Sequence, residues 1–394
     1  MSRGVMDLRL LQLDVGQLSE VAQLLEARIE EGLAADLREI RALPAYLAPP
    51  SADLEGEAVV VDAGGTNVRA AHVRVGERLE ILGGPESEEL PVRGAAGALN
   101  AEGFWQLQAK LARQTGAPGG LPLGYCFSYP SSVHEDGDAT LLGWTKGVDI
   151  SGVEGERVGR PLAEAMGAAG VSVRSKVVLN DTVATLLGAS LKAEDPSRTI
   201  GLIAGTGTNM AAYYAPKAGR KLPAGGPMAV NLESGNFVPP HLSPVDEAFD
   251  AEGGSPGRQR FEKAVSGYAL PYLFSRLVPE AGLDPAAGTG PMGELRRSGS
   301  GRAQAAAAAL LDRSADLVAA GLYGVARSLG GSAPITVLAE GSLIWKADGY
   351  ADRVRARLAE LAGRHGPRFE LKGQADVNLY GSAAAALSWS HGQP

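Results

Sequence analysis

Cysteine is almost missing from this chain. Cys126 is the single one in 394 residues, so an intramolecular disulfide and a cysteine-rich zinc site are both excluded. A small buried apolar side chain is the reading that fits it. Long apolar runs are missing too, and no stretch approaches the roughly 20 residues that span a bilayer. Met1 to Leu13 carries Arg3, Asp7 and Arg9 and has no extended apolar core, which does not resemble a secretory leader. A cytoplasmic protein without a membrane partner is the expectation. An excess of basic charge is also lacking. The net charge is -8 and the pI is about 5.3, which argues against nucleic acid as a partner, because a phosphate backbone needs a basic face. A local site for an anionic nucleotide is still compatible with that charge.

Several motifs are absent as well. No Gly-x-x-x-x-Gly-Lys-Ser/Thr loop occurs, and no His-Arg-Asp or Asp-Phe-Gly pair marks a protein kinase. Gly205-Thr206-Gly207 lacks the third glycine of a dinucleotide fingerprint. His134 and His241 have no metal-ligand spacing and read as loop residues. What remains is 45% hydrophobic and 21% charged, an ordinary globular composition with length enough for two domains.

Two similar turns stand out. Asp62-Ala63-Gly64-Gly65-Thr66-Asn67 follows Ala58–Val61, and Ala204-Gly205-Thr206-Gly207-Thr208-Asn209 follows Ile200–Ile203. An apolar run resumes after each, at Val68–Val75 and Met210–Tyr214. Strand, glycine-rich turn and returning strand predict a hairpin whose tip carries many backbone N–H groups. Glycine lets a phosphate approach that backbone, and threonine adds a hydroxyl donor. Two such tips in one chain suggest a duplicated core holding nucleotide phosphates between its halves.

Around them the pattern alternates. Helices are expected at Leu18–Leu43, ended by Pro44, at Ala101–Thr115, Pro161–Ala169, Val183–Leu191, Arg258–Leu277, Ala303–Leu329, Asp352–Ala362 and Gly381–Trp389. Strands are expected at Leu79–Leu82, Leu121–Tyr125, Val177–Leu179 and Ile335–Leu338. Gly94–Gly97, Gly116–Gly120, Gly253–Gly257 and Ala286–Gly301 read as surface connections. The alternation makes the fold class α/β.

Phosphoryl transfer to an alcohol needs phosphate donors, Mg²⁺ and a base at the attacking hydroxyl. Asp181 ends a buried strand and opens a helix, where a carboxylate is well placed in an α/β cleft. Helix capping is the competing role and, from local sequence alone, the commoner one. Asp62, at the mouth of the first hairpin, suits Mg²⁺ held through water. It equally suits an Asx-type turn, and the two roles are compatible. Lys146, between Trp144 and Gly147, is either a point charge near the transferred group or a solvated surface lysine. Glu233 and Glu262 suit hexose hydroxyls, although either alone reads as a surface charge.

Taken together, these residues resemble the hexokinase family of the actin-like ATPase superfamily, in family order from about Glu30 to Ser342. Glu31-Gly32-Leu33 and Leu43-Pro44-Ala45-Tyr46 resemble the exit of its N-terminal helix. Asp62 to Arg69 resembles its first phosphate loop, and Gly205-Thr206-Gly207-Thr208-Asn209 its second. Phe127-Ser128-Tyr129-Pro130, Trp144-Thr145-Lys146-Gly147, Asn231-Leu232-Glu233 and Gln259 to Lys263 resemble its sugar segments. Asn180-Asp181-Thr182-Val183 resembles its catalytic segment, and Glu340-Gly341-Ser342 its adenosine segment.

The resemblance implies a two-lobed actin-like (ribonuclease H-like, duplicated) fold closing over a central cleft. Residues 57–180 with about 375–394 would form the smaller lobe, and 1–56 with 181–374 the larger. It implies Mg²⁺ and ATP as cofactors and a hexose as substrate, glucose being favoured. Asp181 would be the base and Lys146 would stabilise the charge in transfer. Ser128, Thr145, Lys146, Asn180, Asp181, Asn209, Glu233, Gln259 and Glu262 would hold the sugar. Asp62, Gly64, Gly65, Thr66, Asn67, Arg69, Thr206, Gly207, Gly341 and Ser342 would line the ATP site.

The chain departs from the family pattern. Ser234 follows Glu233 where tryptophan is usual, Glu340 replaces an aspartate, and Gly381-Ser382-Ala383-Ala384 only loosely echoes the C-terminal glycine-rich helix start. The length is short for the family and fits a single catalytic unit, with the shortening in the larger lobe. A preference for mannose or fructose is the nearest alternative, and a non-catalytic sugar sensor is one of another class. An ATPase acting on proteins fits less well, because it has no hexose pocket to line. The repressor-like bacterial sugar kinases fit less well too, because they carry a cysteine-rich zinc segment. Monomer and dimer both remain open.

Overall fold

The computed structural model describes residues 7–65, 67–91, 99–145 and 147–392. Up to residue 190 its strands are β1 (Leu43–Pro44), β2 (Gly56–Ala63), β3 (Asn67–Val75), β4 (Glu80–Glu89), β5 (Leu121–Phe127), β6 (Ser131–Val133), β7 (Ala139–Leu141) and β8 (Val173–Leu179), and its helices α1 (Val15–Ala34), α2 (Ala101–Gln114), α3 (Gly159–Ala168) and α4 (Asp181–Ser190). Beyond it lie strands β9 (Thr199–Ala204), β10 (Thr208–Tyr214), β11 (Met228–Asn231), β12 (Ile335–Glu340) and β13 (Phe369–Lys372). The later helices are α5 (Pro244–Glu252), α6 (Arg260–Val265), α7 (Ala269–Leu277), α8 (Gly290–Ser298), α9 (Gly301–Leu329), α10 (Ser342–Lys346), α11 (Tyr350–Ala362) and α12 (Val377–Gly392).

The two apolar runs before the glycine turns become the central strands of two mixed sheets. One runs β4-β3-β2-β5-β8 and the other β1-β11-β10-β9-β12-β13. Without β1 the orders correspond strand for strand. Each has an antiparallel hairpin (β2/β3 and β9/β10), a third strand antiparallel to the hairpin's second, and two parallel strands beyond its first. The expected duplication is therefore present in the topology. At the outer edge of the first sheet, β4 carries Glu86, Glu88 and Glu89 and pairs only with β3 among the described strands.

Three apolar clusters hold these layers. One packs the second sheet against α1 and α9. Another lies between the first sheet and α2 and α3. The third contains Val60, Val177 and Leu179 of the first sheet, Ala211 and Tyr213 of the second, and Val183, Leu187, Ala384 and Leu387 of α4 and α12. These two helices are thus the layer shared by both sheets. They meet backbone to backbone, and a Cβ at Gly381 would lie 1.8 Å from the Ala184 carbonyl oxygen. Cys126 is fully buried there, as expected. Among the described residues no helix is long and apolar enough to cross a membrane.

The structure corrects three local expectations. The first helix starts at an Asp14–Gln17 capping box and stops at Ala34, well short of Leu43. The chain turns through left-handed backbone at Leu37 and Ala42, so that Leu43 and Pro44 can pair with Asn231 and Val230. Tertiary strand pairing has overridden the helical periodicity. The single helix expected at Arg258–Leu277 is two, α6 and α7. Gly267 N–H donates to Gly205 O (2.8 Å) and Tyr268 N–H to Thr206 O (3.1 Å), so the second hairpin tip occupies the break. The surface connection expected at Ala286–Gly301 contains α8. Gly94–Gly97 lies outside the described residues.

Gly381→Ala is expected to destabilise the protein by about 1–3 kcal/mol, the usual cost of forcing extra atoms into a close-packed contact. Denaturant unfolding measures it, and an unchanged midpoint would show that α4 and α12 do not need this approach.

Candidate active site

The first hairpin places Asp62 directly opposite Arg69. Asp62 is 5% exposed, and Arg69 Nη2 donates to its Oδ2 at 2.7 Å while Nη1 donates to Asp376 Oδ1 at 3.1 Å. The turn is closed by Gly64 N–H on Asn67 O (2.9 Å). Tyr129, absent from the sequence-derived set, sets its Oη 2.8 and 3.0 Å from the Gly64 and Gly65 carbonyl oxygens. Burial, then the charge of Asp62, pushes the Tyr129 phenol well above its ordinary range, so it serves as a donor. Its ring meets Trp144 edge-on at 4.7 Å, and Phe127 packs at 5.1 Å. The aromatic wall behind the sugar-like segments therefore also fixes the first phosphate-like loop. Thr66 and Lys146 lie outside the described residues.

The second hairpin tip is held from two sides. On one is the α6–α7 break. On the other is Gly341, whose φ of 127° and close approach to the Ala204 carbonyl admit no side chain. Thr206, Gly207, Gly341 and Ser342 are thereby gathered at one place, with Thr206 and Ser342 exposed. Glu262 accepts from Thr208 N–H (2.9 Å) and from Gln259 Nε2 (3.3 Å). It ties its own segment to the tip.

The remaining candidates meet around α4. Asn180 is the N-cap, accepting from Thr182 N–H at 2.9 Å, and Asp181 is the first helical residue. Asp181 Oδ1 accepts from the same N–H at 2.8 Å. The capping position expected of Asp181 is therefore taken by its neighbour. Asn209 is oriented by two backbone donors, Met210 N–H (2.8 Å) and Ser234 N–H (3.0 Å), on its Oδ1. Its amide then donates to Asn231 Oδ1 (2.7 Å), and Asn231 Nδ2 donates to Glu233 Oε1 (2.8 Å). Asn231 was not singled out in sequence, although a buried asparagine ending an apolar strand is the kind of residue strands disfavour. A cavity of about 20 Å³ lies among Asn180, Asn231, Glu233, Tyr129 and Val183, room for about one water. Ser128 is buried just after β5, with its N–H on Ala63 O (3.1 Å), and Thr145 is half-buried in the turn leading to Val148. Glu233 and Gln259 both hold left-handed backbone, φ 55° and 52°, a strain that non-glycine residues keep where the surroundings impose it.

Charge is concentrated here. Glu340 ends β12 half-buried, and its Oε2 has no hydrogen-bond partner. Burial, then the negative charges of Asp62 and Asp181, raises its carboxyl from 4.5 to about 7, against the opposing influence of Arg69 and Asn378. Glu233 is also raised, by burial first and by Asp181 further down, with Asn231 opposing. Asp62, Asp181 and Glu340 thus share one cleft with Arg69 as their nearby cation. No cluster of three or more direct metal ligands exists among the described residues. The residues do fit a Mg²⁺ carried by phosphate oxygens and water, since such an ion needs few carboxylates and would relieve the excess charge that raises Glu340.

Two mixed sheets of corresponding order, each with a glycine-rich hairpin and packed on a shared helix layer, define the hexokinase/actin-like α/β fold. Two domain models, both described as Hexokinase, match residues 7–191 and residues 199–281 with 302–388. A hexokinase of Kluyveromyces lactis is 33% identical over 273 residues, 64% of this chain and 55% of its own length. The chain spans about half the length of the curated relatives it matches. Among solved structures, a Schistosoma mansoni hexokinase complexed with glucose superposes with a TM-score of 0.81 at 23% identity, over 97% of both chains. A ROK family glucokinase from Streptomyces griseus, in complex with glucose and AMPPNP, gives 0.54 at 22% identity, over 84% of this chain and 99% of its own. At those identities both likenesses speak to the fold. The chain belongs to the hexokinase family.

Glu340 makes a pH prediction. Between about pH 4.5 and 7 the folded protein keeps a proton that the unfolded chain has released, so stability falls as pH rises through that window. Glu340→Gln removes this component, at most about 3 kcal/mol. Thermal unfolding at pH 5 and pH 8 should show wild type losing ground to E340Q at the higher pH, and parallel pH profiles would contradict the assignment.

Proposed function

We propose that the chain is an ATP-dependent hexokinase that phosphorylates the 6-hydroxyl of a hexose, with glucose favoured. The observation that carries the reading is the position of Asp181. It opens α4 directly after the Asn180 cap, and Asn180 lines one small cavity with Asn231 and Glu233 of the asparagine network. A carboxylate acting between a sugar and a nucleotide requires that placement.

In this reading Asn209 and Asn231 present a pre-oriented amide pair, and Glu233 accepts from sugar hydroxyls. Ser128, Thr145, Asn180, Gln259 and Glu262 complete the sugar set, with Glu262 also bracing the second tip. The backbone of Gly64, Gly65, Thr206, Gly207 and Gly341 with the side chains of Thr66, Asn67, Arg69 and Ser342 receives ATP. Asp181 takes the proton of the 6-hydroxyl as its oxygen attacks the γ-phosphorus in line. The bond from that phosphorus to the β–γ bridging oxygen breaks with its electron pair, and ADP leaves. When bound beside Asp62, Mg²⁺ would supply charge neutralisation at the phosphates. Lys146 would add a further positive charge. The lobes of this reading, 57–180 with about 375–394 and 1–56 with 181–374, would close to exclude water, which otherwise competes for the phosphoryl group. The α4–α12 layer between the sheets is the natural place for that movement.

A coupled ADP-release assay with Mg·ATP and a panel of glucose, mannose and fructose tests the activity. Sugar-dependent ADP release is expected, and its absence with every hexose would sink the kinase reading. Asp181→Ala should retain sugar binding but lose about 10²-fold or more in turnover, as removal of a general base does. Near-normal turnover in that variant would remove Asp181 from the role.

A further inference from the structure

Arg69 is held between carboxylates beside the turn of the first hairpin. Its guanidinium spans two carboxylates, Asp62 at 2.7 Å and Asp376 at 3.1 Å, and it acts on a third, Glu340, through space. One of these, Asp62, is the carboxylate assigned above to the hydrated metal. Arg69 therefore sits where the positive charge of a metal–nucleotide would have to act, and it must give up Asp62 for that to happen.

Asp376 is unusual in its own right. It is one of seven non-glycine residues at positive φ among the described residues, here 54°, a region that aspartate and asparagine enter more readily than most residues. Its carbonyl accepts from Leu379 N–H (2.9 Å) and Tyr380 N–H (3.2 Å), so the backbone alone starts α12. The side chain is left to reach across 307 residues to Arg69. With about a third of each side chain exposed, that ion pair contributes little to stability by itself. A strained residue that aims a carboxylate at a catalytic-cleft arginine, for little stability, points to a role in binding.

We propose that Asp376 is a positioning residue for the nucleotide: it keeps hold of Arg69 when a metal–nucleotide displaces the guanidinium from Asp62. The arginine then changes partner without leaving the cleft. Asp376 touches neither nucleotide nor sugar and acts through Arg69. The inference rests on the hexokinase reading and its Mg·nucleotide site.

Calorimetric titration of the full chain with ADP, with and without Mg²⁺, tests it without turnover. Asp376→Asn suits the same backbone. Without Asp376, Arg69 has only Asp62 as a hydrogen-bonded carboxylate anchor, and metal binding must break that pair unaided. Affinity for Mg·ADP should fall about tenfold, the scale of one charge-assisted hydrogen bond, while affinity for metal-free ADP changes less than about twofold. Asp376→Glu should restore most of the loss, and D376N should have no effect in an Arg69→Ala background, as expected for residues acting as one unit. Equal weakening of both ADP forms, wild-type affinity in D376N, or a loss that persists without Arg69 would each overturn the proposal. Should D376N not fold, Asp376→Gly, whose backbone suits this φ best, carries the same expectations. A wild-type chain that neither binds Mg·ADP nor releases ADP with any hexose would instead bring down the hexokinase reading, and this proposal with it.

Discussion

The backbone contact between α4 and α12 is the constraint on which the cleft depends. The two helices pack together, and α4 opens with Asp181 while α12 begins just after Asp376. At Gly381 the chains approach so closely that no Cβ fits against Ala184. Beside it, Thr185 donates to Asn378 at 2.9 Å in a buried contact, and Asn378 opposes the rise of the Glu340 carboxyl. Asp181, Asp376 and Glu340 come from distant parts of the sequence, and this single helix pair sets their spacing. It also joins the cores of both sheets, so the positions of the carboxylates cannot relax independently of the fold.

Within that frame the cleft concentrates negative charge to an extent a resting protein tolerates only with compensation. The chain answers in three ways. Arg69 bridges two carboxylates, Asn231 donates an amide hydrogen to Glu233, and Glu340 keeps its proton up to about neutral pH. All three devices leave room for a cationic ligand complex to do the same work better. Affinity for such a complex and the electrostatic tension of the cleft are two views of one arrangement. The polar network from Ser234 through Asn209 and Asn231 to Glu233 makes a similar point for a neutral ligand, because its donors and acceptors are already oriented.

Much of the architecture was legible in the sequence because it is written locally. Ala58–Val61 and Ile200–Ile203 are unbroken apolar runs next to glycine turns, and each became the central strand of a sheet. The duplication suggested by the two turns extends to the whole strand order. What could not be read was tertiary in origin. The first helix stops at Ala34 because Leu43 and Pro44 are claimed by β11, and the helix expected at Arg258–Leu277 breaks because a hairpin tip docks at Gly267. Asp181 resembled a cap until Asn180 was seen in that place. Of the residues around the cleft, Glu233 and Glu262 were singled out as carboxylates suited to sugar hydroxyls and Asn180 and Asn209 from segment resemblance, and the structure joins Asn209 to Glu233 and Glu262 to the second tip. Tyr129, Asn231 and Asp376 were not, since their contacts cross from 2 to more than 300 residues and leave no periodic trace.

The exposed side of β4 has a consequence of a different kind. An open sheet edge offers unpaired backbone groups to any passing strand, and copies of one protein are the commonest passers-by. Glu86, Glu88 and Glu89 put a run of carboxylates on that edge, and the whole chain is anionic, at -8. Two molecules approaching edge to edge therefore meet like charge before they meet hydrogen bonds. The guard is made of groups that lose their charge in acid, so the colloidal behaviour of this protein is tied to pH through an edge strand.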